Sequence, residues 1–143
     1  MYKICTSVEQ SRKLIKLGID VNTADMFYAD LLVDGNHKYN LHPLESYGFK
    51  TFEDTKIQES ARLRFIPVWS LSALLELIPP YLGEFNDGID FGFGKAMNSK
   101  WYSAHYLQTY PNGDIKSVKT VTGDTAVDAV FEMIIWLKEN NKL

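Results

Sequence analysis

The C-terminal segment TAVDAVFEMIIWLKENN, at residues 125–141, is the part of the sequence that most constrains the fold. Thr125 and Asp128 have the spacing of a helix N-cap and its N3 partner, so we predict a helix over about 125–140. Apolar side chains recur there at helical spacing, and Ile135 and Trp136 extend the apolar stripe toward the solvent side. A helix that is apolar around so much of its circumference must lie between a sheet and another layer, or contact a partner at its outer edge.

A β-hairpin is predicted immediately before this helix, with strands near 100–110 and 114–121 around the turn Pro111-Asn112-Gly113. Because side chains alternate between the two faces of a strand, the segment WYSAHYLQTY has two distinct faces. One face holds Trp101, Ser103, His105, Leu107 and Thr109, and the other holds Tyr102, Ala104, Tyr106, Gln108 and Tyr110. One of them must cover the helix, and the alternation alone leaves open which.

A first helix is predicted at about residues 7–17. Thr6 and Glu9 have capping-box spacing, and either Thr6 or Ser7 is suited to be the N-cap. Lysines near the end of this helix suit its dipole, and Gly18 supplies a residue that ends it in the left-handed conformation.

A short helix is predicted at residues 70–78, with Ser70 as its N-cap and Pro79 as its stop. The strand predicted before it covers Arg62–Ile66, and we expect Pro67 to interrupt the pairing of that strand. The helix carries only one charged residue, so we expect it to be largely buried.

Three stretches carry mixed or turn-like signals. Residues 19–35 suit a strand, a short helix or both, and residues 34–56 form a polar, turn-rich segment with scattered aromatic side chains. Residues 81–100 are also turn-rich, and their Gly88–Lys95 portion, GIDFGFGK, is interpreted as a flexible turn among aromatic residues. That portion lacks the residue spacing of a phosphate loop and the oxygen ligands of a calcium loop.

Together these elements predict an α+β fold. We expect one domain over residues 1–143, with an antiparallel sheet of about three to five strands and about three helices packed mainly on one face. A chain of 143 residues fits a single domain, because two halves would each be near the lower size limit of a stable core. The 3 tryptophans, 8 tyrosines and 8 phenylalanines supply apolar surface for that core, which argues against a disordered chain.

The sequence offers little support for catalysis or metal binding. The histidines His37, His42 and His105 lack partners at zinc-ligand spacing, and Cys5 is interpreted as a small buried hydrophobe before the first helix. We therefore predict no catalytic residue, no metal and no cofactor, and we expect a protein that is not an enzyme. A small enzyme centred on His105 or His42 remains the alternative, and it requires a concave pocket with convergent polar groups.

Charge and cysteine content bear on partners and location. A formal net charge of −3 gives little counterion release on nucleic acid, which disfavours a nucleic-acid partner without excluding it. With Cys5 as the only cysteine, no intrachain disulfide can form, and a reducing cytoplasm is the expected location. The longest apolar-rich window, Ala126–Leu137, contains two acidic residues and is too short for a membrane span, so we expect no membrane partner.

The aromatic hairpin is the surface that we single out for binding. If its tyrosine face is exposed, the tyrosines and the lysines across the hairpin are suited to stack on nucleic-acid bases or to contact a protein. The alternative is that both faces are partly covered and the tyrosines only pack at an edge. The candidate binding residues are Tyr102, His105, Tyr106, Tyr110, Lys116, Lys119 and Trp136.

Several segments resemble a known group of proteins. They are CTSVEQSRKLI at 5–15, GIDVNTADM at 18–26, IPVWSLSALLELIP at 66–79, and GDTAVDAVFEM with WLKEN over 123–140. These segments resemble a family of small uncharacterised gut-bacterial proteins that are often found in prophages or other mobile elements. The resemblance implies a phage-like accessory protein, and it implies neither a catalytic residue nor a specific activity.

A second likeness concerns the C-terminal third alone. A strand pair followed by Gly123-Asp124-Thr125 and an apolar helix is similar to the β-β-α end of HicB-type antitoxins. In those proteins the helix covers one face of the sheet, and the module binds a small toxin. The likeness implies the same local architecture here, although helix capping after a hairpin also produces this pattern by physical chemistry alone.

These observations favour a non-enzymatic accessory or binding protein of a phage or mobile element that acts through protein–protein contacts. The expected partner is a second copy, which would give a homodimer, or a host or phage protein. Association with nucleic acid through the hairpin at residues 101–121 is the second hypothesis, and a small enzyme of unknown reaction is the third.

Overall fold

The computed structural model describes residues 3–95 and 99–143. The helices are α1 (Val8–Lys16), α2 (Leu71–Leu77) and α3 (Ala126–Glu139). The strands are β1 (Met26–Val33), β2 (Asn36–Pro43), β3 (Leu63–Val68), β4 (Tyr81–Leu82), β5 (Ile89–Lys95), β6 (Tyr102–Thr109) and β7 (Ile115–Gly123). Short 3₁₀ helices lie at Val21–Thr23, Glu45–Tyr47, Phe52–Gln58 and Phe85–Asp87.

The predicted α+β class is confirmed, and the strands are divided between two antiparallel sheets. One sheet has the order β2-β1-β3 and the other has the order β4-β5-β6-β7. The chain forms two compact units, residues 5–73 and residues 74–143, and Lys3 and Ile4 belong to the second. The expectation that residues 1–143 fold as one domain stays a prediction.

The first sheet contains a strand that the sequence analysis did not predict. Residues 34–56 were expected to be turn-rich, yet β2 pairs with β1 from Val33↔Asn36 onward. Asp34 and Gly35 both have positive φ values, 51° and 78°, which is the backbone of a tight two-residue hairpin turn. β2 is mostly exposed, and it is flanked by Asp34-Gly35-Asn36 and ends at Pro43, residue types that indicate a turn or loop in the sequence.

Pro67 was expected to interrupt the third strand, and this expectation is wrong. β3 includes Pro67, which lies opposite Phe27 of β1. β3 is an edge strand, since the sheet order places it beside β1 alone. A proline is tolerated on an edge strand because its missing N–H costs no ladder hydrogen bond on the unpaired side.

The helix at the start of the chain is confirmed, with Ser7 as its N-cap. The Ser7 side chain accepts from the Gln10 N–H and the Gln10 side chain accepts from the Ser7 N–H, which completes a capping box. Thr6 has a different role, because its buried hydroxyl accepts a hydrogen bond from the Trp69 N–H at 3.1 Å. Gly18 follows the helix with a φ of 88°, as predicted.

The helix α2 is also confirmed, and Ser70 caps it by accepting a hydrogen bond from the N–H of Ala73. Its burial is one-sided. Leu74 is fully buried, whereas Ser72 and Glu76 are exposed. The expectation of a largely buried helix therefore holds for one face.

In the second sheet, the predicted hairpin is confirmed as β6 and β7. The interpretation of Gly88–Lys95 as a flexible turn is wrong, because β5 runs through this segment and pairs with β6. A Cβ built on Gly92 would lie 2.6 Å from Nε2 of His105, so a glycine in mid-strand leaves room for the imidazole ring. Space for a neighbour, rather than backbone flexibility, explains this glycine.

The helix α3 covers one face of the second sheet. Thr125 caps it by accepting a hydrogen bond from the Asp128 N–H at 3.1 Å. A Cβ on Gly123 of β7 would lie 2.5 Å from the Ala129 nitrogen, which shows how closely the strand end and the helix approach. The buried residues of the helix are Val127, Ala129, Val130, Phe131, Met133, Ile134 and Leu137. Each large apolar side chain among them stabilises the fold by roughly 1.5–3 kcal/mol.

Within residues 3–95 and 99–143, no helix is long and apolar enough to cross a membrane.

Candidate functional site

The tyrosine face of the hairpin is the face that meets α3. Tyr106 is fully buried, and its ring centroid lies 5.4 Å from that of Phe91 and 6.5 Å from that of Trp136. Its hydroxyl donates a hydrogen bond of 2.6 Å to the Pro79 carbonyl oxygen, and burial raises the pKa of the Tyr106 phenol well above 10.0. Tyr106 therefore presents no ring face to a ligand.

The other two candidate tyrosines lie at different places along the strand. Tyr102 is half-buried, and Nζ of Lys95 lies 6.0 Å from its ring centroid. Tyr110 follows the strand and is exposed, and its hydroxyl donates to Oε1 of Gln108 at 3.1 Å. With Tyr106 buried between them, the three tyrosines do not form one continuous exposed row.

The candidate lysines and Trp136 are only partly brought together. Lys119 lies opposite Tyr106 on the helix-facing side, and its Nζ lies 5.9 Å from the Trp136 ring centroid. This is a cation–π contact, which holds the ammonium group against the protein. Lys116 is exposed and pairs with Gln108, beyond the bulge that interrupts β6 and β7 after Tyr106.

The opposite face of the sheet is the one that points away from α3, and we call it the outer face. The strand register places on it Tyr81, Asp90, Gly92, Gly94, Ser103, His105, Leu107, Thr109, Ile115, Ser117, Thr120 and Thr122. The candidate residue His105 is at its centre, half-buried over Gly92. Asp90 is the only Asp, Glu, Lys or Arg at these positions.

The outer face has open space above a glycine and a projecting side chain near one end. A Cβ built on Gly94 would have no heavy atom within 4 Å, so there is open space above this glycine. Trp101, which continues the outer-face alternation just before β6, is 56% exposed. At the other end of the hairpin, Ile115 is 65% exposed. The surface therefore combines small residues with a few large exposed apolar ones.

An aspartate–histidine pair lies in the first sheet. The Asp30 side chain is only 10% exposed, and both of its oxygens are near Nδ1 of His37, at 2.9 and 3.0 Å. The Tyr39 ring stacks on the imidazole, with centroids 5.9 Å apart and planes 5° from parallel. These contacts orient the imidazole through Nδ1. A general base also needs a concave site for its substrate, and neither residue lines the cavity described next.

A cavity of about 160 Å³ lies in the first unit and opens beside short 3₁₀ segments. We call it the aromatic cavity, and it is lined by Phe27, Ala29, His42, Tyr47, Phe49, Gln58, Leu63 and Phe65. His42 and the scattered aromatic residues of 34–56 are visible in the sequence, but no local pattern brings them together. The residues of β1 and β3 that complete the walls carried no sequence signal for a site.

Two further observations bear on reactive groups. Cys5 is buried, as predicted, with its Sγ 3.9 Å from the Tyr28 hydroxyl oxygen. Burial, and after it the neighbouring Cys5, raises the pKa of the Tyr28 phenol to about 12. Among residues 3–95 and 99–143, no group of three or more His, Cys, Asp or Glu side chains is arranged to hold a metal ion.

Comparison with family models, with curated proteins and with solved structures found no match to this chain. The resemblances described from the sequence therefore stay predictions.

Proposed function

We propose that this chain is a non-enzymatic binding protein that acts through protein contacts, and that the outer face is its contact surface. Its partner in this proposal is a second copy of the chain, which forms a homodimer. The cytoplasmic accessory role in a phage or mobile element, implied by the sequence resemblance, is the setting of the proposal. The observation that carries it is the near absence of charge on an open sheet face.

Low charge favours this face over the rest of the surface as a contact region. Asp, Glu, Lys and Arg make up 23% of the whole chain, whereas Asp90 is their only representative on the outer face. Charged residues are depleted at the centres of protein interfaces, because burying them removes their hydration. A partner that covers the outer face would therefore displace little strongly bound water.

The shape of the face supports a second copy as the partner. A two-fold interface needs one surface patch that is complementary to itself. Trp101 supplies a projecting aromatic side chain, and the open space above Gly94 supplies a hollow next to it along the sheet. In a two-fold arrangement, the indole of each copy would fill the hollow of the other. Tryptophan in a pocket is a frequent anchor of protein interfaces.

The proposal is tested by measuring mass against concentration by light scattering during size exclusion. We expect the wild-type chain to approach twice its 16.4 kDa mass at concentrations on the order of 100 µM. Gly94→Leu places a side chain in this open space, and because its Cβ would have no heavy atom within 4 Å, the variant should keep the fold and give the single-chain mass. Trp101→Ala should weaken association as well.

Ser72→Leu is the matched control, because it adds a leucine at an exposed position of α2, outside the outer face. It should dimerise like the wild type. A wild-type chain that remains monomeric over the whole concentration range contradicts a second copy as the partner. A dimer that Gly94→Leu leaves unchanged, with the melting transition intact, contradicts the outer face as the contact surface.

A further inference from the structure

We propose that the aromatic cavity is a binding site for a small planar aromatic molecule that carries one hydrogen-bonding group. This site lies entirely in the unit formed by residues 5–73, and it does not depend on the proposed homodimer. The ligand class follows from three properties of the cavity, namely its size, its walls and the polar groups at its rim.

The size of the cavity fits one aromatic ring with a small substituent. Its volume is about 160 Å³. Apolar protein cavities of about 150 Å³ stay dry and admit benzene, so a cavity of this size suits a molecule such as phenol.

The walls are built from aromatic rings around Phe27, which is only 1% exposed. Phe65, Tyr47 and Phe49 meet the Phe27 ring edge-on, with interplanar angles of 81°, 71° and 69°. Aromatic rings attract one another most strongly in edge-to-face and offset arrangements. A planar aromatic ligand could adopt these arrangements with several walls at once, whereas a saturated ring of equal size has no such preference.

The rim supplies the hydrogen-bonding groups. His42 is half-buried and lies 5.5 Å from Phe27 and 4.9 Å from Tyr47 between ring centroids, and Gln58 is exposed. Within the described part of the chain, neither the imidazole nor the Gln58 amide makes a hydrogen bond to another residue. Apolar pockets with a few polar groups at the edge are typical of small-molecule sites. The ring of the ligand would occupy the interior, and its polar group would meet this rim.

The mouth of the cavity is beside Tyr47. This side chain is 53% exposed and lines the cavity, so the cavity meets solvent there. The adjacent Gly48 has a φ of 73°, which turns the chain so that Tyr47 and Phe49 stack with their planes 12° apart. A ligand can therefore enter without unfolding of the sheet.

The experiment is an NMR titration of the full chain with phenol, toluene and cyclohexanol. The chemical shifts of the cavity residues report the binding of each compound. We expect phenol to bind at least about tenfold more tightly than cyclohexanol, because only the aromatic ring gains contacts with the walls. Gln58→Leu should weaken phenol binding several-fold and leave toluene binding unchanged, since toluene makes no hydrogen bond.

The second arm of the experiment fills the cavity with a larger side chain. Ala29→Ile enlarges a half-buried wall residue on a strand, where a β-branched side chain is well tolerated, and it should abolish phenol binding. Ile57→Ala is the control, because Ile57 is 88% exposed beside Gln58 and does not line the cavity. Absence of shifts at the cavity residues, or phenol binding that survives Ala29→Ile, overturns the site. Equal affinity for phenol and cyclohexanol overturns the ligand class.

Discussion

The two sheets of this protein differ in what covers them. One face of β4-β5-β6-β7 is covered by α3, a continuous helix with seven buried residues. One face of β2-β1-β3 is covered by short 3₁₀ segments, from which Leu44 and Phe52 form a core cluster with Phe27. A helix brings a regular row of side chains onto a sheet, whereas short segments bring single bulky rings with space between them. The aromatic cavity occupies such a space.

This difference in packing predicts which substitutions change stability and which change binding. The helix-covered face is closely packed around Tyr106, which has no accessible ring surface. The aromatic cavity and the outer face are regions where packing is incomplete or absent. We therefore expect substitutions under α3 to change mainly stability, and substitutions at the cavity or the outer face to change mainly binding.

The largest expected effect comes from truncating one leucine to alanine in each unit and comparing the two losses of stability. Leu137→Ala removes a fully buried leucine of α3 and should lower the free energy of unfolding by about 2–5 kcal/mol. Leu63→Ala removes a half-buried leucine beside the cavity and should cost roughly 1–1.5 kcal/mol. Urea denaturation of both variants measures the two values, with Glu132→Ala as an exposed control. Equal losses for the two leucines would remove the proposed contrast in packing.

A smaller effect is expected from the helix cap. Thr125→Ala removes the hydroxyl that accepts from the Asp128 N–H, and it should lower the free energy of unfolding by about 1 kcal/mol. Thr125→Ser keeps the acceptor and should recover most of that loss. Thermal denaturation checks both variants. A loss that serine does not recover would mean that the methyl group, rather than the cap, stabilises the covering helix.

A further effect concerns alkaline pH, and it occurs in both units. Burial raises the pKa of Tyr28 to about 12, and burial raises that of Tyr106 as well, so both folded phenols hold their protons more tightly than unfolded ones. Their contribution to stability is complete below pH 10 and is lost as the pH rises through the folded pKa values.

Denaturation between pH 8 and pH 11.5 should therefore show a falling free energy of unfolding above about pH 10. Tyr106→Phe and Tyr28→Phe should each make that fall shallower, and the stronger effect is expected for the fully buried Tyr106. Tyr47→Phe makes the same substitution at an exposed tyrosine and serves as the matched control. A flat profile for the wild type up to pH 11.5 would contradict the burial of both phenols.

The elements that were predicted correctly have strong local signals. The capped apolar helix α3 and the hairpin before it are encoded by neighbouring residues, so their identity does not depend on the rest of the chain. The strand β2 was missed because it is mostly exposed and flanked by turn-forming residues at 34–36 and 42–43. The strand β5 was missed because glycines are rare in strands. Gly92 is explained only by the His105 ring from the next strand, which no local pattern reveals.

The candidate sites were harder to predict than the fold. Alternation divided the hairpin residues correctly between two faces but could not tell which face the helix covers. The aromatic cavity combines residues from Phe27 to Phe65, on three strands and on the connection between β2 and β3. Such a site depends on the pairing of distant strands, so only His42 and the clustered aromatic residues of the turn-rich segment hinted at it.

The contact between Trp101 and the hollow above Gly94 is the central claim about function. It can be observed directly by isotope-filtered NMR on a mixture of labelled and unlabelled copies at a concentration where pairs form. We predict intermolecular nuclear Overhauser effects between the Trp101 indole of one copy and the Gly94 α-protons of the other. Absence of these effects in a sample shown to be dimeric, or their appearance at residues outside the outer face, would contradict the account.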